Sequence, residues 1–212
     1  ECRHALDTLA TAKAQAQHAT DSPQGKLRVI APIWFATPLF VAALAKFQRQ
    51  FPNIQLSVNL DNRFTNLVAD GYDIALRVST QPHDQLIARP LSKIRFECVA
   101  SPSFIAQYGK PATKDDLNRF NCVVPNYVER VIPGTIVADS NNTLMLAEMT
   151  KAGMGLAILP HWLIQTDLTS GTLVQVFDHP MNELTLHAVY VNRQFLSSKV
   201  RSFIDFLVAE LK

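Results

Sequence analysis

LRVIAPIWFATPLFVAALAKFQRQFPNIQLSVNLDNRFTNLVADGYDIALRV, residues 27 to 78, alternates extended and helical patterns, and the rest of the chain is arranged around it. Leu27 to Ala31 is a short, apolar, β-branched run, followed by Thr37-Pro38, the usual N-cap and first-turn residues of a helix. Phe40, Leu44, Phe47 and Phe51 recur at helical spacing on one apolar face, and Pro52-Asn53 ends that helix. Ile54, Leu56, Val58 and Leu60 alternate with Gln55, Ser57, Asn59 and Asp61, the pattern of a strand with one buried face. The spacing predicts a short helix from Phe64 to Asp70, stopped at Gly71, and a third strand from Asp73 to Val78. Strands separated by helices predict parallel pairing in a doubly wound α/β sheet. Ligands in such sheets sit beyond the carboxyl ends of the strands, which here are Pro32 to Thr37, Asp61 to Phe64 and Arg77 to Thr80.

With 212 residues, 48% of them hydrophobic, the chain is long enough for one or two domains with a packed core. A formal net charge of only +2 argues against this chain alone holding a polyanion, because DNA-binding domains carry a clustered basic face. No run of 18 apolar residues exists, so no membrane span is expected, and residues 1–24 lack the apolar core of a secretory signal. Cys2, Cys98 and Cys122 are odd in number and widely spaced, the pattern of reduced, buried thiols in a cytosolic protein. Six histidines show no helix-spaced pair and no cysteine partner at metal-ligand spacing, so neither a metal nor a cofactor is expected. No glycine-rich phosphate loop is present, and Ser101 before Pro102 reads as a helix cap rather than a nucleophile. No catalytic residue is assigned.

Residues 1 to 24 read as a helix with Cys2, Leu6, Leu9, Lys13 and Ala16 spaced as a coiled-coil seam, either a dimer contact or a leader packed on the domain. Beyond Val78, strands are expected at Leu86 to Leu91 and Arg95 to Ala100, running into the cap Ser101. Thr113 and Asp116 resemble a capping box. Further strands are expected at Cys122 to Val124, Val137 to Asp139, Leu156 to Leu159, Leu173 to Val176 and Leu184 to Tyr190. Helices are expected from Thr143 to Ala152, capped by Ser140-Asn141-Asn142, from His161 to Leu168, and from Ser197 or Ser198 to the end. Twice an apolar strand stops at a small polar residue and opens a helix, at Ala31 to Thr37 and at Ala138 to Thr143, with Ser101-Pro102 a third case. Two lobes that each point helix N-termini into one gap describe a hinged receptor whose gap favours an anion.

The ordered blocks Leu27-Arg28-Val29, Phe51-Pro52, Gly71-x-Asp73-Ile74-Ala75-x-Arg77 and Leu86 to Leu91 resemble the effector-binding domain of LysR-type transcriptional regulators. Ala100-Ser101-Pro102, Ala152 to Pro160, Gly171-x-Leu173-Val174 and Ser198 to Leu207 continue that resemblance, which covers nearly the whole chain from Gly25. It implies two Rossmann-like lobes with a hinged cleft, a type 2 periplasmic-binding-protein-like fold. Lobe I would take about 25–98 plus 173–212 and lobe II about 99–172, with 1–24 the end of a linker helix. It also implies a small-molecule effector, homodimers or homotetramers, and DNA contact through a winged helix-turn-helix that this chain lacks. The chain departs from the family in having a short segment between Val124 and Val137. A periplasmic solute receptor of a transporter shares the architecture and is the alternative reading.

Candidate effector-binding residues follow from the strand ends and the resemblance. Pro32, Ile33, Trp34 and Phe35 form the turn after the first strand, where the two aromatic rings either wall the pocket or belong to the core. Thr37 is a cap whose hydroxyl could also meet an effector carboxylate, and Arg63 and Phe64 follow the second strand. Arg77, followed by Val78, ends an apolar strand, where a charge needs either a partner within the lobe or a role at the cleft. Ser101 and Asn141 are caps facing the gap in this family, and Met154 offers an adaptable apolar surface. A small carboxylate is the favoured effector class. Pro38 to Gln50 and Ile54 to Leu60 are the expected subunit interface.

Overall fold

The computed structural model describes residues 22–62, 67, 69–79, 86–128, 132–191 and 196–211. The expected leading helix, Arg63 and Phe64, and most of the helix expected from Phe64 to Asp70 lie outside the described residues. In chain order the main elements are β1 (Gly25–Ala31), α1 (Pro38–Gln50), β2 (Ile54–Leu60), β3 (Ile74–Ser79), β4 (Ile87–Ala100), α2 (Pro102–Tyr108) and β5 (Asn121–Pro125). They continue with β6 (Thr135–Ser140), α3 (Thr143–Lys151), β7 (Ala157–Pro160), α4 (His161–Ser170), β8 (Val174–Gln175), β9 (Asn182–Tyr190) and α5 (Ser198–Glu210).

The three strands and the first helix of the β1 to β3 unit form as their pattern predicts. β1 lies between β2 and β3, parallel to both. Thr37 caps α1, whose Phe40, Ala43 and Phe47 are buried. Phe47 sits 4.9 Å from the ring of Phe203 and 5.3 Å from that of Phe206, which locks α1 to α5. These helices close a first core built on Leu27, Val29, Ile74, Leu76 and Leu186. A second core gathers Cys98, Phe104, Leu117, Cys122 and Leu156, and a third gathers Val99, Val123, Leu146, Ala157 and Ile164.

Strand β4 joins these cores. Leu91 and Ile94 belong to the first, while Cys98 and Val99 enter the second and third. The two strands expected at Leu86 to Leu91 and Arg95 to Ala100 are therefore one strand of 14 residues. Its interruption is local: the register against β9 shifts between Pro90 and Ser92, because a proline cannot donate to the ladder. β4 runs antiparallel to both β9 and β7, so the sheet is mixed, with the order β2-β1-β3-β9-β4-β7. β5 pairs in parallel with β6, and a parallel bridge from Cys122 to Leu156 sets β5 beside β7.

Local stop signals act where expected. Thr113 Oγ1 and N–H both donate to Asp116 at 2.9 Å, the anticipated capping box, although the turn that follows at Asp115–Arg119 is 3-10. Gly171 ends α4 in the left-handed conformation with φ 76°, where a side chain is strained.

Candidate functional site: the cleft between the lobes

The chain turns sharply after β1. Pro32 precedes a 3-10 turn, Ile33–Phe35, closed by the Phe35 N–H donating to Pro32 O at 3.0 Å. Trp34 and Phe35 are 5% and 1% exposed, so both belong to a core. That core spans the molecule: Trp162, the second residue of α4, packs edge-on against both rings at 6.3 and 5.9 Å. The turn also lies against α3. Thr37 is buried, and its Oγ1 accepts the Phe40 N–H at 3.3 Å.

Asn62 stands just beyond β2 and works in two directions. Its Oδ1 accepts the Ile33 N–H at 3.1 Å, and its Nδ2 donates to the Asn141 carbonyl at 2.8 Å. Three post-strand segments, after β1, β2 and β6, therefore meet at one amide. Asn141 contributes its backbone oxygen, while Asn142 caps α3, its Oδ1 accepting from Leu144 N–H at 2.9 Å and Met145 N–H at 3.4 Å. Tyr127 closes this side, its hydroxyl 2.9 Å from that of Thr143, and burial pushes the Tyr127 phenol above its ordinary pKa.

Ser101 and Met154 form a second group. Ser101 is buried, accepts the Phe104 N–H at 3.2 Å and lies 3.0 Å from the Ser103 hydroxyl. Gly153 passes so close that a Cβ there would sit 3.4 Å from Ser101 Oγ, and Met154 beside it is 40% exposed. Arg77 is half-buried on β3 opposite His187 of β9, and Val78 packs against the first core. Burial pulls the Arg77 guanidinium below its ordinary pKa, and the Asp61 carboxylate partly offsets this by favouring the charged form.

Sequence reading placed the strand ends but missed the residues that join them. Asn62 carries no motif; only its position after a strand marked it. Trp162 follows Pro160-His161 and reads as an ordinary helix start. His161 Nδ1, at the start of α4, lies 3.4 Å from the buried Glu97 carboxylate of β4 without hydrogen-bond geometry. An open cavity of about 400 Å³ lies elsewhere, between α2 and the 115–119 turn, lined by Tyr108, Lys110, Arg119 and Phe120 among others.

Two lobes built on one bridging sheet, with the turns after β1, β2 and β6 meeting at Asn62, define a bilobed domain. The chain belongs to the LysR substrate binding domain family, whose model matches residues 20–212. It is 31% identical over 200 residues to the HTH-type transcriptional regulator DmlR of Escherichia coli, covering 87% of this chain and 65% of that protein. The chain thus spans just under two thirds of that regulator's length. The structure of CrgA, a LysR-type transcriptional regulator from Neisseria meningitidis, matches 98% of this chain and 76% of its own, with 25% identity and a TM-score of 0.81. The CrgA regulatory domain alone matches 90% of this chain and all of its own length, with a TM-score of 0.76 and 25% identity. The two-lobed, type 2 periplasmic-binding-like fold is that of these regulatory domains. Its relatives are transcriptional regulators, which favours that reading over a transporter's solute receptor. No described helix is long and apolar enough to cross a membrane.

Proposed function

We propose that this chain is the effector-sensing part of a cytoplasmic, DNA-binding regulator, and that a small carboxylate binds between lobe I, about 25–98 plus 173–212, and lobe II, about 99–172. The observation carrying this is the convergence of the turns after β1, β2 and β6 at Asn62. Residues 1–24 would be the end of a linker helix leading to a winged helix-turn-helix, and the domain itself would perform no chemistry. Pro32, Ile33, Thr37, Arg63, Phe64, Arg77, Val78, Ser101, Asn141 and Met154 are proposed to surround the ligand. Trp34 and Phe35 support its back wall from the core. Backbone N–H groups at the capped start of α3 supply partial positive charge for a carboxylate.

The effector acts only through unequal affinity for the two lobe arrangements; moving a balance from 1:99 to 99:1 takes about 5.5 kcal/mol. Pairing of copies would transmit the change. β2 and β6 are both sheet margins with exposed apolar side chains beside them, Leu39, Val41 and Leu60 near one and Ile136, Val137 and Met145 near the other. A two-fold dimer that sets the β2 margin of one copy against the β6 margin of the other covers both patches.

The test is the melting temperature against a panel of small organic acids, amino acids and aromatic compounds. An effector at a hundred times its Kd adds about 2.7 kcal/mol, or roughly 5–11 °C for a chain of this size. A silent panel of carboxylates contradicts the proposed effector class.

A further inference from the structure

We propose that Asn62 is the latch that holds the two lobes together, and that its release is the step a ligand controls. The first half stands on geometry alone; the second rests on the effector-binding reading above. Asn62 is the residue whose one side chain bonds a turn on the β1 side, through Ile33 N–H at 3.1 Å, and a turn on the β6 side, through Asn141 O at 2.8 Å. The amide orientation is forced: a backbone N–H only donates and a carbonyl only accepts, so the oxygen faces Ile33 and the nitrogen faces Asn141. Asn62 is half-buried and its bond to Ile33 is partly shielded from water, whereas its bond to Asn141 is exposed, so the arm between the lobes is the easier of the two to release.

The two arms are chemically separable. The Ile33 N–H belongs to the turn that carries Trp34 and Phe35, and those rings meet Trp162 of α4. An anionic ligand seated at this turn takes the Ile33 N–H as an acceptor in place of Asn62 Oδ1. The displaced side chain then loses the alignment that its Nδ2 needs to reach Asn141. Ligand entry thereby trades a lobe-to-lobe bond for a lobe-to-ligand bond, and the latch senses occupancy with one hydrogen bond.

Asn62→Asp retains an acceptor for Ile33 but removes the donor to Asn141 and sets a carboxylate against that carbonyl. Asn62→Ala removes both arms. Pulsed dipolar distances between spin labels at Ala45→Cys on α1 and Thr166→Cys on α4, both exposed, read the lobe separation without any small molecule. The background is Cys2→Ser, with labelled chain diluted in unlabelled chain; Cys98 and Cys122 are buried from the reagent. Both variants are expected to raise the open-to-closed ratio about two- to tenfold, the effect of one hydrogen bond of ordinary net strength, with unchanged circular dichroism. Distance distributions equal to the parent's in both variants overturn the latch. So does a shift with Asn62→Ala alone, which would confine the role of Asn62 to shaping the β1 turn. Since no ligand is used, failure here leaves the effector reading intact, and a silent ligand panel leaves the latch intact.

Discussion

Replacing Phe35 by alanine separates the two roles open to the aromatic pair after β1. The ring is 1% exposed and lies 4.5 Å from Trp34, 4.9 Å from Phe40 and 5.9 Å from Trp162. Truncation removes all three ring contacts and leaves a cavity bounded by α1, α4 and the β1 turn. Phe-to-Ala changes in such sites cost about 3–5 kcal/mol, which for a domain of this size lowers Tm by roughly 6–20 °C. Phe35→Leu retains most of the volume and is expected to cost about 1 kcal/mol. Urea unfolding followed by tryptophan fluorescence measures both, with Trp34 and Trp162 reporting from the site itself. A loss below about 1 kcal/mol for Phe35→Ala would refute the core assignment and return the ring to the pocket wall.

Burial pushes the Cys98 thiol up to about 12, with a smaller contribution from Cys122. The thiol thus remains protonated in the fold while the unfolded chain ionises near its ordinary value of 9.0, so this stabilisation is complete below pH 9 and is lost as pH rises toward 12. Cys98→Ala is expected to flatten the alkaline fall in stability over that window, measured by urea unfolding at a series of pH values. Gly134→Ala is expected to cost about 2–3 kcal/mol, because a Cβ would lie 2.3 Å from Cys122 Sγ and 2.5 Å from the Phe120 carbonyl oxygen; thermal melts check it. Val41→Asp or Val137→Asp, at exposed apolar sites on the two margins, is expected to shift the chain toward monomer in sedimentation, with an unchanged melting curve at low concentration.

Local patterns carried the half of the fold that is local. Alternation wrote β2 into Ile54 to Leu60, and the proline-terminated aromatic face wrote α1 into Phe40 to Phe51. Caps at Thr37 and Ser101 likewise rest on short-range chemistry that a sequence displays. The single long β4 was not legible, because Pro90 and Ser92 look like a break unless the partner strand β9 is known to accommodate a register shift. Nor was the Asn62 junction, whose partners stand 29 and 79 residues away. The placement of the cysteines is also tertiary: Cys98 and Cys122 flank β7 on opposite sides. Two strand spacings, about 9.5 Å, separate them, beyond the roughly 7 Å limit for a disulfide. A thiol switch between these two residues is accordingly not built into the fold.

The claim that a small molecule enters between the lobes is tested most directly by amide chemical-shift mapping with whichever panel compound raises Tm. Shifts are expected at Ile33, Phe35, Asn62 and Asn141 to Leu144, the segments that converge across the gap. Shifts confined to Tyr108, Lys110, Arg119 and Phe120 would instead place the ligand in the outer cavity and contradict the interlobe site.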